Sequence, residues 1–366
     1  MKKGISCFHG SDLEVIEKKY NISKENIINY SGNVNPLGIS PKLKDELREN
    51  IDLIASYPDR QYTSLRKTIS QYTHAPFENI LVGNGTTELI SLSIHVIKPK
   101  KVLIVGPTYS EYEKEIYLGG GDTYYYRLKE EMNFQIDIED LNQHLTNDMD
   151  LLILCNPNNP TSSVVKHGEL RRVLDHCKEQ GIYVLIDETY AEFTPDIHQV
   201  TAIPFTDYYT NLIILRGVSK FFSAPGLRLG YCVCGNENIL RKINEKKNPW
   251  TINALASLAG EIMLKDEDYI QRTRQIINNE REKIYNTLLT WREVKVYQPY
   301  ANFILVKLLD TPTTSSHIFE NLIKKGLMIR DASSFPFLDT RFIRFCFLNP
   351  EDNDRLLKEL ALLLRS

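Results

Sequence analysis

Lys220 lies in the stretch R-G-V-S-K-F-F-S-A-P-G-L-R-L-G-Y, residues 216–231, with Ser219 before it and Arg228 beyond. A lysine desolvated among Phe221, Phe222 and Pro225 has a lowered pKa, which makes its amine a usable nucleophile. Arg228 offers a permanent positive charge for a phosphate. Read plainly, the same residues are surface charges at a strand-to-loop junction. Other stretches are equally two-sided. Gly83, Asn84, Gly85, Thr86, Thr87 and Glu88 read as a tight turn into a helix, where free N–H groups and the helix dipole favour an anion. A threonine N-cap after a glycine turn is the ordinary alternative. Asp187 closes the run Y-V-L-I-D, ahead of Glu188, Thr189 and Tyr190. A carboxylate at the end of a buried strand needs a specific partner, because an isolated buried charge is costly. That partner is either a helix cap or ion pair, or a protonated ring nitrogen. Asn159, in N-P-N-N-P-T, is aimed by a rigid proline turn.

Jointly these residues describe one ligand. They supply a phosphate cup, an acid for a pyridinium, an amide for a phenolate oxygen and an amine for an aldehyde. That ligand is pyridoxal phosphate, and the combination is far more specific than any member.

The elements that must hold them follow from apolar patterning. I-L-V-G, K-V-L-I-V-G, L-L-I-L-C, Y-V-L-I-D and L-I-I-L-R are continuous apolar runs separated by helical segments. Such runs indicate an α/β fold with a mostly parallel sheet covered on both faces. Ligands of open α/β sheets bind beyond the carboxyl ends of the strands, where these residues stand. Residues 49–248 form the expected large domain. Residues 1–48 and 249–366 form a smaller α+β domain, in which the N-terminal arm carries no strand of its own and 250 to about 289 is helical.

Bulk properties exclude other classes. The net charge of -3 leaves no basic footprint, so neither nucleic acid nor an anionic membrane is an expected partner. The N-terminus M-K-K-G-I-S-C-F-H-G has no apolar core of signal-peptide length, and a cytoplasmic protein is expected. Six cysteines in 366 residues do not suggest a disulfide framework. Cys232 and Cys234 alternate along a strand with no histidine pair nearby, so no metal site is expected.

On these motifs the chain resembles, over its whole length, the pyridoxal-phosphate enzymes of the aspartate-aminotransferase fold, which implies a large domain with a mostly parallel seven-stranded sheet. The resemblance implies that Lys220 is the Schiff-base lysine and that Arg228 binds the cofactor phosphate together with Gly85, Thr86, Thr87 and Ser219. It implies that Asp187 pairs with the pyridinium, that Tyr190 and Asn159 bond the ring oxygen, and that Tyr109 in P-T-Y-S-E-Y stacks on the ring. Tyr62 in Y-P-D-R-Q-Y corresponds to the tyrosine lent by a neighbouring subunit, which implies a homodimer. Arg344 in F-I-R-F corresponds to the arginine that clamps the substrate carboxylate.

Two relatives within that group compete. Histidinol-phosphate aminotransferases share N-x-N-P, here Asn33 to Pro36. Threonine-phosphate decarboxylases of cobalamin synthesis also share His9-Gly10, S-G-N-V-N-P-L-G at 31–38, P-W-T-I-N-A-L-A-S-L-A-G-E at 249–261, and Ile329-Arg330 followed by F-P-F-L-D-T-R at 335–341. That resemblance implies a phosphorylated amino-acid substrate bound by His9, Asn33, Asn159, Arg330 and Arg344. The implied reaction is decarboxylation of L-threonine O-phosphate to (R)-1-aminopropan-2-ol phosphate. The alternatives are transamination of histidinol phosphate or a related amine with 2-oxoglutarate, decarboxylation of phosphoserine, and a non-catalytic protein that keeps the fold. Two departures stand out. Gly217 occupies a position where relatives carry a phosphate-binding hydroxyl, and Ser162 replaces the glycine usual after N-P-T.

Overall fold

The computed structural model describes residues 12–309 and 312–365. A two-residue strand, β1 (Ile28–Asn29), comes first. It is followed by β2 (Ile80–Gly83), β3 (Lys101–Gly106), β4 (Asp122–Arg127), β5 (Leu151–Cys155), β6 (Tyr183–Asp187), β7 (Leu212–Gly217) and β8 (Gly230–Val233). These last seven make one sheet in the order β2-β8-β7-β6-β5-β3-β4. Every pairing in it is parallel except the two made by β8. Every residue of β5 and β7 is buried, as expected of strands covered on both faces. The edge strand β4 instead alternates between exposed positions and half-buried or, at Tyr126, buried ones, consistent with its D-T-Y-Y-Y-R sequence.

Helices Gly85–Ile97, Glu111–Leu118 and His167–Gln180 connect successive strands. The last ends at Gly181, whose left-handed backbone (φ 73°) closes the helix and turns the chain into β6. Because the connections return each strand in the same direction, the ends of β2, β3, β5, β6 and β7 converge on one edge of the sheet. Residues 83–87, 106–109, 155–159, 187–190 and 217–220 therefore gather there.

A four-stranded antiparallel sheet is built from β9 (Val294–Val296), β10 (Phe303–Leu308), β12 (Arg330–Asp331) and β13 (Phe342–Cys346), in the order β12-β13-β10-β9. The N-terminal segment does contain a strand: β1 pairs in parallel with β11 (Leu327–Met328). Two residues are too short to leave an alternating pattern in the sequence. The helical stretch expected from 250 is two helices, Ala254–Met263 and Glu267–Leu289, and Trp250 lies outside both with φ 54°. Asn253 and Asp266 cap them by accepting from Ala256 N and Tyr269 N, which explains the break between them.

Directly behind the site, Arg216 on β7 lies buried between Glu188 and Glu192. Its Nε and Nη2 donate to Glu188 Oε2 at 2.9 and 2.8 Å, and Nη2 also donates to Thr201 Oγ1 at 2.7 Å. Removing one member of a buried charge cluster leaves the others uncompensated. Arg216→Met is expected to lower the unfolding free energy by about 3–5 kcal/mol in urea titrations. A loss under about 1 kcal/mol, the range of a surface pair, would show the cluster to be dispensable.

Candidate active site

Lys220 follows β7 and keeps part of its surface open to the cleft, while its amine lies deep. Nζ donates to the Gly32 carbonyl at 2.7 Å. Burial, with the nearby Arg344 charge second, lowers its pKa from 10.5 to about 8. The backbone is clamped as well, since Asn35 N donates to the Lys220 carbonyl at 3.0 Å and the Asn35 amide donates to the Phe221 carbonyl. The N-x-N-P stretch thus holds the lysine from both sides. At pH 6 the amine is largely protonated, and its neutral fraction rises with pH until it levels above about 8. Capture of an aldehyde needs the neutral amine. Stopped-flow binding of pyridoxal phosphate to apoprotein is therefore expected to accelerate about tenfold per pH unit between pH 6 and 7 and to plateau above about 8. A pH-independent rate would contradict this state of Lys220.

Asp187, at the end of β6, is buried, and no cationic side chain pairs with it among the described residues. Burial raises its pKa, and hydrogen bonds from Thr189 and Tyr112 pull it back. Thr189 donates to Oδ1 from both N (2.9 Å) and Oγ1 (2.5 Å), and Tyr112 Oη donates to Oδ2 at 2.7 Å. Neither residue was expected. The signal for Tyr112 was the second tyrosine of P-T-Y-S-E-Y, whose ring meets Tyr109 edge-on at 5.6 Å.

The turn at 83–87 forms a shallow cup. At the start of helix Gly85–Ile97 the Asn84 N–H donates to Glu88 Oε2 at 2.6 Å, while among the described residues no side chain caps the N–H groups of the first turn, which suit an anion. Gly85 has φ 77°, and a Cβ there would lie 2.5 Å from Arg228 Nη2, so glycine allows the guanidinium to press against the cup. Gly217 borders the same space. A Cβ there would come 3.1 Å from the Thr86 methyl and 3.6 Å from Ser219 Oγ. The bulk lost at 217 is thus taken up by Thr86. Tyr109 stands beside the cup and shares a hydrogen bond with Thr87.

Asn159 and Arg344 meet directly: Arg344 Nη1 donates to Asn159 Oδ1, and Nη2 donates to the Ser31 carbonyl at 2.6 Å. Burial lowers the Arg344 pKa to about 10. Asn33 is buried with φ 54°, and its Nδ2 donates to Tyr190 Oη at 3.3 Å. Burial raises the Tyr190 pKa, against the pull of Arg344. Arg330 is half-buried and donates from Nη2 to Ser334 Oγ at 2.7 Å. His9 lies outside the described residues.

Ser162, which stands where relatives carry glycine, makes contacts that glycine could not. It adopts φ 60°, where glycine is favoured, and its Oγ accepts from Tyr300 N (3.0 Å) and Ala301 N (2.8 Å). Two satisfied N–H groups offset the backbone cost of about 1–2 kcal/mol. The Asn159 turn is thereby tied to the segment entering β10.

Tyr62 is a correction. It is 2% exposed, and its hydroxyl donates to the Ile252 carbonyl and accepts from Ile252 N, so it is committed within its own chain. The accessible tyrosine of Y-P-D-R-Q-Y is Tyr57, 80% exposed and packed on Trp250 at 4.7 Å. Spacing alone could not separate the two, because Tyr62 is held inside by Ile252, a residue far away in the sequence.

The residues present fit pyridoxal phosphate. A low-pKa amine, an acid without a cationic partner and an uncapped helix start with an arginine against it share one cleft. Around them Ser31 Oγ, Asn33 Oδ1, Thr108 Oγ1 and Arg344 Nε are buried without a partner among the described residues. Fold and site together define a pyridoxal-phosphate-dependent enzyme of the aspartate-aminotransferase type.

The chain belongs to the family "Aminotransferase class I and II", whose sequence profile matches residues 25–360. It is 39% identical to a Caldanaerobacter subterraneus subsp. tengcongensis protein provisionally named a threonine-phosphate decarboxylase, over 90% of this chain and 88% of that one. It is 32% identical to the threonine-phosphate decarboxylase of Salmonella typhimurium, over 96% and 95%. Among solved structures it is similar to the histidinol-phosphate aminotransferase of Clostridium acetobutylicum, at 33% identity and a TM-score of 0.86, over 92% and 98%.

Proposed function

We propose that the protein decarboxylates L-threonine O-phosphate to (R)-1-aminopropan-2-ol phosphate, in the service of cobalamin biosynthesis. The observation that carries this reading is the pairing of Arg330 with Arg344 as direct cross-strand partners at the cleft, with Asn33 alongside. Two adjacent guanidiniums suit a small molecule that carries a carboxylate and a phosphate close together. The similarity to two decarboxylases supports the choice. Phosphoserine has the same two charges and is the nearest competing substrate. Transamination of histidinol phosphate is the second reading, favoured by the 33% identity to the solved aminotransferase.

Pyridoxal phosphate, when bound, supplies an aldehyde for amines and a ring that takes up the electron pair released at the α-carbon. Lys220 is the amine that holds the aldehyde at rest and the group that holds or returns a proton at the α-carbon. Asp187 holds a proton at the ring nitrogen, and Tyr112 and Thr189 keep its carboxylate in place. Arg344 grips the substrate carboxylate and, with Asn159, sets its attitude. Through that attitude Arg344 and Asn159 would decide whether carbon dioxide or a proton is lost from the α-carbon.

Purified protein given L-threonine O-phosphate should release carbon dioxide without a 2-oxo acid. Strict dependence on 2-oxoglutarate would sink the decarboxylase reading in favour of transamination.

We further propose a cytoplasmic homodimer in which residues 49–248 form the cofactor domain and residues 1–48 and 249–366 the smaller one. The exposed Ile51, Leu53, Ile54, Tyr57 and Trp250 support a self-association face, with Tyr57 the tyrosine available to a second protomer. Among the described residues no helix is long and apolar enough to cross a membrane.

A further inference from the structure

Arg330 and Arg344 stand directly opposite each other on β12 and β13. Like charges so placed repel. Water screens Arg344 little, because it is buried, and no carboxylate neutralises it among the described residues; Arg330 is half-buried. One ring addresses both cations. The Phe335 centroid lies 5.4 Å from the Arg330 guanidinium carbon and 5.9 Å from that of Arg344. Both distances are within cation–π range. Phe303 adds a contact to Arg344 alone, at 5.4 Å.

The ring is itself well fixed. Phe335 is 9% exposed, and its N–H donates to the Ala332 carbonyl at 3.1 Å. The preceding turn is pinned by Asp331, whose Oδ1 accepts from Ser333 N and Ser315 Oγ. Ser334 in the same turn accepts from Arg330. Sequence, turn and ring therefore converge on the arginine pair.

We infer that Phe335 is a positioning residue for substrate, whose ring holds Arg330 and Arg344 as one receptor for a carboxylate and a phosphate carried on the same small molecule. This deepens the reading of the two arginines as substrate ligands and rests on it. The negative face of the ring attracts each guanidinium while the ring body keeps water from screening them. A dianion arriving at the pair meets two cations already spaced and partly dehydrated.

The test compares Phe335→Leu and Phe335→Tyr in the cofactor-loaded enzyme, so that the cup at 85–87 does not compete for phosphate. Inorganic phosphate binding is followed by calorimetry, and kcat and KM are measured with L-threonine O-phosphate. Phe335→Leu is expected to weaken phosphate binding and raise KM, each about tenfold, with kcat within about twofold. Phe335→Tyr keeps the ring and should restore both to within about threefold of the parent. Cofactor retention should be equal in all three proteins. Unchanged phosphate affinity in the leucine variant would overturn the inference, as would failure of tyrosine to rescue, or loss of cofactor together with phosphate binding. If the parent does not act on L-threonine O-phosphate, the proposed reaction falls, while the phosphate titration still decides the role of Phe335.

Discussion

Lys220→Ala is expected to lower turnover by about ten-thousand-fold and to remove the visible absorption band of the purified protein. The amine sits at a depth that brings its pKa to about 8, so it is neutral for an appreciable fraction of the time near neutral pH. In the proposed reaction alanine removes both the amine that would capture the aldehyde and the group that would move the proton, and nothing else described in the cleft is a second amine at that position. The backbone clamp through Asn35 survives the change, so folding should not be lost with activity. Lys220→Arg separates charge from chemistry. It keeps a donor for the Gly32 carbonyl but stays protonated throughout the working range. It should be as inactive as the alanine variant. Absorbance spectra and single-turnover assays on both proteins check this, and turnover within tenfold of the parent in either would remove Lys220 from the chemistry.

Asp187→Asn is expected to cut kcat by about 10²–10⁴-fold while leaving the melting temperature unchanged or raised. The carboxylate is buried without a cationic partner among the described residues, an arrangement that costs stability in the cofactor-free protein. An amide of the same shape keeps an acceptor for Thr189 but cannot balance a protonated ring nitrogen. Activity and stability should therefore move in different directions. Calorimetric melting of the cofactor-free variant beside steady-state kinetics measures both. A variant that melts much earlier and stays active would make Asp187 a structural acid. The hydroxyl of Tyr112, which donates to the same carboxylate, gives the milder version of the experiment in Tyr112→Phe.

Much of this molecule was legible in its residues. Apolar runs such as Y-V-L-I-D marked strands buried on both faces, and the polar residues closing them marked the edge where a ligand binds. Lys220, Asp187, Asn159 and the 83–87 turn are candidates read in that way, because each is marked by its neighbours in the chain. Pattern could not show the two-residue β1, which exists only by pairing with β11.

What tertiary structure alone decided concerns residues far apart in the chain. It put Tyr62 inside against Ile252 and left Tyr57 outside, a difference that spacing could not settle. It set Tyr112 on Asp187, Ser162 under Tyr300 and Ala301, and Thr86 into the space left by Gly217. It also brought Arg330 opposite Arg344, with Phe335 against both. By itself, then, the sequence determined the longer buried strands and the polar side chains that end them, since period and turn chemistry act over a few residues. Which side chains face one another across the cleft was decided by strand register and packing, which no local pattern encodes.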